Sequence, residues 1–466
     1  MGNCAILFNL ASDSEAQTLS RRIKPSEDQY EDQQERWNAL AEYLIEALKV
    51  ASSYSISTWL QGSYKFGTQI RPPRSSAEFD IDLGVYFSWS GSNDDGIYGP
   101  KELKEMVQAS LNAYDADDVI EVVSPPKARC SRIRFKGDFH IDIPVYHLDA
   151  SKDYRALATE DNIWENSDPK ALYLWFKDLF DEDLRAKTRR QIRYLKCWAG
   201  LKFKNETGRP SSTLITVLVA NAVSSIQSSA LDNDDDGLYA ILKRIVEMLV
   251  EDSTVLNPVD NGEVLSGRLT VSQMNAFIEL LKALRDLAHE ALTAENQIEA
   301  CDKWTVAFEH FFPLPDTNIT KSADSVSANL PAVVVTPEIE VWATAQDNPN
   351  MTWSGRNQIS GIPKNCDIYF RIVNTSVIPY GSEINWMVRN QGGEAENIND
   401  LGHIAGTGLN AKERSAYVGT HFMDCLVKQY GRVIGLRRVP VTITGKQVPR
   451  RNPLKKPSWV KLRGSR

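Results

Sequence analysis

The chain has 466 residues, of which 42% are apolar and 24% are charged, and its formal net charge at pH 7 is −8. This composition is typical of a folded protein of two or three domains, and it excludes a wholly disordered chain or one covered with positive charge. No apolar run approaches about 18 residues, so no membrane span is expected. The six cysteines form no CxxC pair and the first residues lack a basic signal segment, so we expect a cytoplasmic protein.

The first third of the chain predicts one long helix followed by several strands. Residues 26–50 place Trp37, Leu40, Leu44 and Leu48 at helical spacing, after a serine that can cap the helix. Alternating polar and apolar residues then predict strands at 56–60, 79–87, 119–123, 132–135 and 139–145, with a helix at 99–114. We therefore expect an α+β domain over residues 1–168.

The rest of the chain changes character twice. Residues 169–315 carry successive helical patterns and predict a helical domain. Residues 313–332 are rich in Pro, Ser, Asn and Asp without periodicity, which predicts a linker over 316–332. Alternation of period two returns over 333–445 and predicts a small β-sandwich, whereas residues 446–466 hold eight Lys or Arg and no acid and should form a poorly ordered basic tail.

Two aspartates, Asp80 and Asp82, interrupt the apolar strand FDIDLGVYF. Because side chains alternate along a strand, both carboxylates lie on one face while their apolar neighbours lie on the other. Adjacent carboxylates repel each other and resist burial, unless a divalent cation such as Mg²⁺ lies between them. The sequence alone leaves two readings of this pair, a cation mount or two exposed residues on an edge strand.

Two neighbouring motifs favour the cation mount. Gly62 and Ser63 form a turn upstream of the acidic strand, and such a turn at a helix start offers backbone N–H groups and a hydroxyl to phosphate. Asp142 lies in GDFHIDIPVYH, which predicts a second strand. A third carboxylate there can complete a two-metal site, in which one ion activates an attacking hydroxyl and the other holds a triphosphate.

This order of motifs resembles the nucleotidyltransferase superfamily related to DNA polymerase β. It is most similar to the bacterial cGAS/DncV-like nucleotidyltransferases, the CD-NTases. The resemblance is specific in the block from 61 to 87 and looser elsewhere within 1–315. The residues that match the family pattern in that block are Gly62, Ser63, Tyr64, Thr68, Pro72, Asp80, Asp82, Gly84 and Val85. Residues 333–445 resemble the C-terminal sensor domain named for adenylyl/guanylyl cyclases and SMODS proteins.

The resemblance implies a polymerase-β-like nucleotidyltransferase domain, a helical domain that completes the cleft, and the small β-sandwich. It implies a synthase of cyclic oligonucleotide second messengers that uses NTPs, ATP among them, and two Mg²⁺ (or Mn²⁺) and releases pyrophosphate. It also implies a place in bacterial antiphage (CBASS) defence, with an effector receptor for the product. The implied catalytic and metal-binding residues are Asp80, Asp82 and Asp142, and the implied nucleotide-binding residues near the turn are Gln61, Gly62 and Ser63.

A basic segment, RAKTRRQIRYLKCWAGLKFK, contains eight basic residues and no acid. On a helix Arg189, Arg193 and Lys196 share one stripe, and the aromatic residues between them leave little of the helix free to face water. A solvated surface is the ordinary reading of a charge run, but this helix predicts contact with an anion. In the resembling family such a helix supplies a Lys to the triphosphate and the next helix supplies a Ser, which match Lys196 and either Ser211 or Ser212.

Several other readings compete with this function. A template-independent nucleotidyltransferase acting on RNA ends or on protein is the main alternative, and a scaffold without activity is the third. A regulatory partner or nucleic acid could bind the basic tail. DNDDDG imitates the start of a calcium loop but has a lysine at its twelfth position, so we expect a solvated loop there. His140 and His147 lack metal-ligand spacing and should be structural, and NPVD should be a turn bracing the cleft.

Overall fold

The computed structural model describes residues 4–13, 17–73, 77–137, 139–203, 207–315 and 335–446. The predicted linker at 316–332 and all of the predicted tail beyond 446 therefore lie outside the described residues. The chain forms two compact units, of which the first comprises Met1–Pro315 and Asn397–Asn399. Among the described residues, no helix is long and apolar enough to cross a membrane.

One long helix organises the start of the first unit. The helices that precede or cover its sheet are α1 (Ala5–Phe8), α2 (Leu19–Arg22), α3 (Glu27–Ser52), α4 (Gly62–Phe66) and α5 (Pro100–Asn112). Helix α3 begins with a capping box, in which Ser26 Oγ accepts from Gln29 N and the Gln29 side chain accepts from Ser26 N. Leu40, Leu44 and Leu48 of α3 are buried in the apolar core that the sheet also builds.

A mixed sheet carries the acidic residues. Its strands are β1 (Ser55–Gln61), β2 (Phe79–Ser88), β3 (Val119–Val122), β4 (Ser131–Phe135), β5 (Phe139–Ile143), β6 (Val145–Asp149), β7 (Tyr154–Ala158) and β8 (Trp164–Asn166). The order is β3-β4-β5-β2-β6-β7-β8, and β1 pairs antiparallel with β2. Strands β5 and β6 run parallel to successive halves of β2, and Pro144 between them has no N–H for the ladder.

A helical half completes the first unit. Its elements are α6 (Pro169–Leu179), α7 (Glu182–Lys202), α8 (Ser212–Ser224), α9 (Asp234–Glu251), β9 (Leu256–Asn257), β10 (Asp260–Val264), α10 (Val271–Leu292) and α11 (Gln297–Phe308). Every residue of α7 from 191 to 201 is buried. The expected solvated loop at DNDDDG was wrong, because α9 begins there and the buried Asp234 pairs with Arg190 (Nε to Oδ2, 2.7 Å) and Tyr194.

The second unit is a β-sandwich. Its elements are β11 (Ile339–Ala345), β12 (Asn348–Arg356), β13 (Ile359–Pro363), β14 (Cys366–Ile372), β15 (Glu383–Arg389), α12 (Gly393–Asn397), β16 (Gly402–Thr407), β17 (Asn410–Arg414), β18 (Gly419–Gln429) and β19 (Arg432–Thr444). One sheet has the order β12-β11-β14-β17 and the other β13-β19-β18-β15-β16. Inward-facing residues of both sheets, such as Val341, Phe370, Trp386 and Val441, share one core. The predicted α+β layout is confirmed.

Candidate active site

Strand pairing brings the three predicted carboxylates together. In the parallel register of β2 and β5, Asp82 lies directly beside Asp142, and Asp80 lies beside His140. Because neighbouring residues in a parallel ladder present their side chains on the same face, the two strands build one acidic cluster. One ligand atom each from Asp80, His140 and Asp142 lie within 4.8 Å of one another, which is a spacing that a single cation can bridge.

The Gly-Ser turn sits against this cluster. Gly62 starts α4 with a φ of 57°, a conformation that favours glycine, and a Cβ at this position would collide with the Asp82 carboxylate. Gly84 makes the same kind of room for Gln61. The Gln61 side chain donates to Tyr86 Oη (2.9 Å) and accepts from Tyr146 Oη (3.1 Å), so it is fixed beneath the turn. The two glycines therefore let the Gly-Ser turn and Gln61 approach the acidic strand closely.

A single cleft collects most of the predicted site residues. It has a volume of about 430 Å³ and is formed by the sheet and the helical half of the first unit. The predicted residues that line it are Gln61, Gly62, Ser63, Asp80, Asp82, Lys196, Ser211 and Ser212. Asp142 does not line the cleft but lies beside Asp82 on the neighbouring strand. Ser211 caps α8 by accepting from Leu214 N (3.1 Å), and Ser212 is the exposed first residue of that helix.

The charges in the cluster are unevenly compensated. Arg132 holds Asp142 through two contacts (Nε to Oδ1, 2.5 Å; Nη2 to Oδ2, 2.8 Å), and Lys127 Nζ adds a third at 3.1 Å. Burial raises the pKa of Asp142, but the hydrogen bonds and charge of Arg132 outweigh it and bring that pKa below its ordinary value. Asp82 has no such partner in the described residues. Its pKa is raised well above the ordinary value, first by burial and then by the charges of Asp80 and Asp142.

His140 contacts two carboxylates, one of which belongs to this cluster. Its Nε2 lies 2.8 Å from Asp80 Oδ1 and its Nδ1 lies 2.9 Å from Glu78 Oε2, so the ring joins two carboxylates. The sequence predicted a structural His140 and not a metal ligand, and the structure places its ring nitrogen within the possible cation site. Sequence spacing could not reveal this, because His140 meets Asp80 only through the pairing of β2 with β5.

Lys196 reaches the cleft from the buried helix α7. Its Nζ donates to Thr68 Oγ1 (3.0 Å), in the loop that follows the Gly-Ser helix. Burial, reinforced by the charge of Arg193, lowers the pKa of Lys196 to about 7. Arg193 and Arg189 lie on the other side of that loop and do not line the cleft. The basic stripe predicted from the sequence is therefore divided, because Lys196 lines the cleft while Arg189 and Arg193 line a second cavity.

The far wall of the cleft was only partly foreseen. The NPVD segment forms the turn between β9 and β10, and Asn257, Asp260 and Glu263 from this hairpin line the cleft together with Arg268. Asp260 Oδ2 accepts from Asn166 Nδ2 of the sheet (2.8 Å), so the hairpin meets the end of β8. Only the turn itself carried a signal in the sequence, since the polar residues around it have no spacing that indicates a cleft.

Comparison of the chain with known proteins identifies its family. The family model described as "Cyclic GMP-AMP synthase DncV-like, nucleotidyltransferase domain" matches residues 56–146, and the "Adenylyl/Guanylyl and SMODS C-terminal sensor domain" matches residues 320–444. A cyclic GMP-AMP synthase of Escherichia albertii is 30% identical over 459 residues, covering 97% of this chain and 99% of that protein. The chain belongs to the CD-NTase family. Like the other members it is a nucleotidyltransferase.

More distant proteins share parts of the sequence or the fold of this chain. A c-di-GMP synthase of Roseivirga ehrenbergii is 24% identical over 280 residues, covering 54% of this chain and 72% of that protein. The Vibrio cholerae di-nucleotide cyclase DncV, in a structure with ATP and GTP, superimposes with a TM-score of 0.56 at 17% identity, covering 66% of this chain and 97% of that one. An Escherichia coli DncV structure gives 0.53 at 20% identity, with 66% and 97% covered. These two structures show the shared fold.

Proposed function

We propose that this CD-NTase is a cyclic dinucleotide synthase that joins purine nucleoside triphosphates and releases pyrophosphate. The observation that carries the proposal is the juxtaposition of Asp80 and Asp82 with the Gly62–Ser63 turn and Lys196 in one cleft. Relatives named as cyclic GMP-AMP synthases and as a c-di-GMP synthase support a product made from two purine nucleotides.

Each group in the cleft has a distinct task in this reaction. The backbone N–H groups at the start of α4 and the Ser63 hydroxyl bind phosphate oxygens, as helix starts do. Lys196, when protonated, adds a point charge to the triphosphate. One of Ser211 and Ser212 contacts the same phosphates from α8. Together these groups orient the donor so that the acceptor hydroxyl faces its α-phosphate.

The acidic cluster fits divalent cations. Asp82 lies beside Asp142 and close to Asp80, without a cationic partner in the described residues, and such a charge arrangement favours a bound cation. The ligand atoms that lie within 4.8 Å of one another belong to Asp80, His140 and Asp142. Asp80, Asp82 and Asp142 would hold two Mg²⁺, with Mn²⁺ as a substitute. Such ions supply activation of the attacking hydroxyl and stabilisation of the leaving pyrophosphate. Arg132 and Lys127 keep Asp142 ionised but occupy both of its carboxylate oxygens, so a cation bound by Asp142 would take the place of one of these donors.

The proposal is tested by the product. Purified protein is incubated with labelled ATP, GTP or both in Mg²⁺, treated with phosphatase, and the label is separated by chromatography. We expect a small phosphatase-resistant product whose mass is that of a cyclic dinucleotide, and none when EDTA replaces Mg²⁺. Label transferred to RNA or to the protein, with no resistant small product, would instead establish a template-independent nucleotidyltransferase.

We further propose that the product acts on an effector receptor in bacterial antiphage defence. The match of residues 320–444 to a sensor domain supports a regulated enzyme. The test is phage plating on bacteria that carry the gene with its genomic neighbours, beside the same strain with Asp80→Asn and Asp82→Asn. Equal plating efficiency on the two strains, with product formation confirmed in vitro, would contradict the defence role and leave the activity in place.

A further inference from the structure

The first unit contains a second cavity on the other side of the loop that borders the cleft. It has a volume of about 660 Å³, larger than the cleft itself. Its walls come from the start of α3, from α4 and the loop after it, and from the first half of α7. The residues used below are Lys24, Tyr30, Gly67, Gln69, Arg189 and Arg193, all of which line it.

Helix α7 links the two cavities through the loop from 67 to 69. Arg193 Nη1 donates to Gly67 O (2.6 Å), and Lys196, one turn later, donates to Thr68 Oγ1 (3.0 Å). Gln69 lines the second cavity, and its Nε2 donates to Asp80 O (3.3 Å) in the acidic strand. Gly67 and Gln69 therefore line the second cavity, whereas Thr68 between them lines the cleft.

Some buried polar atoms of the residues that line the second cavity have no partner in the part of the chain that the structure describes. Arg193 is 8% exposed, yet its Nε has no hydrogen-bond acceptor there, and the buried Nε of Arg189 has none either. Gln69 is also 8% exposed and its Oε1 lacks a donor. Such atoms are rare inside proteins because each loses its water without gaining a partner. Arg189 and Arg193 line the cavity and form no ion pair with a carboxylate among the described residues, so an anion with several acceptor oxygens suits them.

The charged and aromatic side chains that line this cavity indicate which class of anion it can bind. Arg190 is neutralised by Asp234, which leaves Lys24, Arg189 and Arg193 as the cations that face the cavity. The acids of its wall, Glu27 and Glu31, lie exposed at the rim on α3. Tyr30, 44% exposed, stacks one face on Tyr64 at 4.8 Å. An aromatic base can stack on such a ring while a phosphate meets the arginines.

We propose that this cavity is a regulatory site for a nucleotide, bound by phosphate at Arg189 and Arg193 and by its base at Tyr30. The site is separate from the substrate cleft and needs no metal. A phosphate that engages Arg193 competes with Gly67 O for the guanidinium and frees the loop that positions Asp80 and contacts Lys196. Occupancy therefore lowers the rate of synthesis without competing with substrate.

The test measures nucleotide binding in the absence of metal. ADP is titrated into the full-length protein in EDTA by calorimetry, beside Arg189→Gln and Lys196→Gln. We expect Lys196→Gln to retain this binding and Arg189→Gln to weaken it by about tenfold or more, the loss expected for a charge-assisted phosphate contact. Lys202→Gln, an exposed lysine at the end of the same helix, is the matched control and should bind as the wild type does.

Further measurements separate the alternatives. Tyr30→Ala should weaken ADP while leaving inorganic phosphate unchanged, and equal loss of both would overturn the assignment to a nucleotide. Binding that disappears in Lys196→Gln and persists in Arg189→Gln would place ADP in the cleft and sink the proposal. Melting temperatures check folding, and Arg189→Lys, which keeps the charge, should retain phosphate binding. None of these outcomes depends on synthesis, so failure here leaves the proposed function intact.

Inhibition kinetics test the link to the cleft. In the wild type, ADP should inhibit synthesis with a noncompetitive component in addition to competition with substrate. That component should vanish in Arg189→Gln, and purely competitive inhibition of the wild type would contradict a regulatory role.

Discussion

Asp82 in the first unit is a half-buried carboxylate and Asp424 in the second unit is a buried one. The charges that surround these two carboxylates have opposite signs. Asp424 is buried between two arginines, with Arg389 Nε 2.7 Å and Arg438 Nε 2.9 Å away. Burial raises the pKa of Asp424, but the charges of Arg438 and Arg389 outweigh it and lower that pKa overall. Asp82 is half-buried at the bottom of the cleft, with like charges as neighbours and a raised pKa.

The difference separates a structural acid from a candidate metal ligand. A compensated carboxylate stabilises the fold at neutral pH, and its contribution is lost as the pH falls through its lowered folded pKa. A carboxylate with a raised pKa does the reverse, because its ionisation above the unfolded pKa costs stability in the metal-free protein. An acid that the fold leaves uncompensated is therefore the one to associate with a bound cation.

The largest expected effect is loss of activity in Asp80→Asn with Asp82→Asn. Removing both charges removes the cation mount, whose contribution of several kcal/mol corresponds to about a thousandfold or more in rate. Without metal, the variant should melt at the same or a higher temperature at pH 7, because the repulsion within the cluster is gone. Labelled-NTP turnover and thermal melts in EDTA measure the two effects. Turnover near the wild-type rate would refute the metal assignment.

Asp424→Asn should have the opposite effect on stability, which it should lower. Breaking a buried ion pair from one side leaves charged groups uncompensated and costs about 3–5 kcal/mol of unfolding free energy. Chemical unfolding followed by tryptophan fluorescence measures this, since Trp386 lies in the same core. Asp367→Asn, on an exposed ion pair of the same unit, is the control and should cost under about 1 kcal/mol. If the two variants had equal free energies of unfolding, Asp424 would not have the structural role that sets it apart from Asp82.

Lys196→Gln should weaken substrate binding by about tenfold or more, the size of one charge-assisted phosphate contact. Because the pKa of Lys196 is about 7 in the free protein, its charge and the NTP affinity it supports should decline as the pH rises from 6 to 8. The apparent KM for NTP at saturating Mg²⁺, measured across this range, should rise in the wild type relative to the variant. Parallel pH profiles would show that Lys196 does not contact the triphosphate.

The sequence predicted the residues whose environment is local. Alternation placed Asp80 and Asp82 on one face, and Ser26 indicated the start of α3. It could not pair Asp82 with Asp142 by itself, because that neighbourhood depends on the register of two parallel strands distant in the chain. The resemblance to CD-NTases supplied that pairing. Nothing in the sequence indicated that Arg132 and Lys127 hold Asp142.

The same limit explains the expectations that changed. The acidic run at 232–237 looked like a solvated loop, but Arg190 and Tyr194 on α7 give Asp234 partners that allow its burial. The basic stripe on α7 was predicted to meet one anion. Arg193 and Lys196 are separated by the loop from 67 to 69, which no periodicity of α7 can reveal.

The smallest expected effect is on the basal rate when the second unit is removed. The candidate catalytic and nucleotide-binding residues all lie before residue 213, and the described part of the second unit has its own core, so a chain ending after Pro315 keeps the site. We expect it to be soluble and to retain Mg²⁺-dependent synthesis within about tenfold of the unstimulated full-length protein. Product formation per folded molecule, with monodispersity checked by gel filtration, measures this. A folded, monodisperse truncation without activity would make the second unit an obligate part of the enzyme, and the contrast between a catalytic and a structural region would then fail.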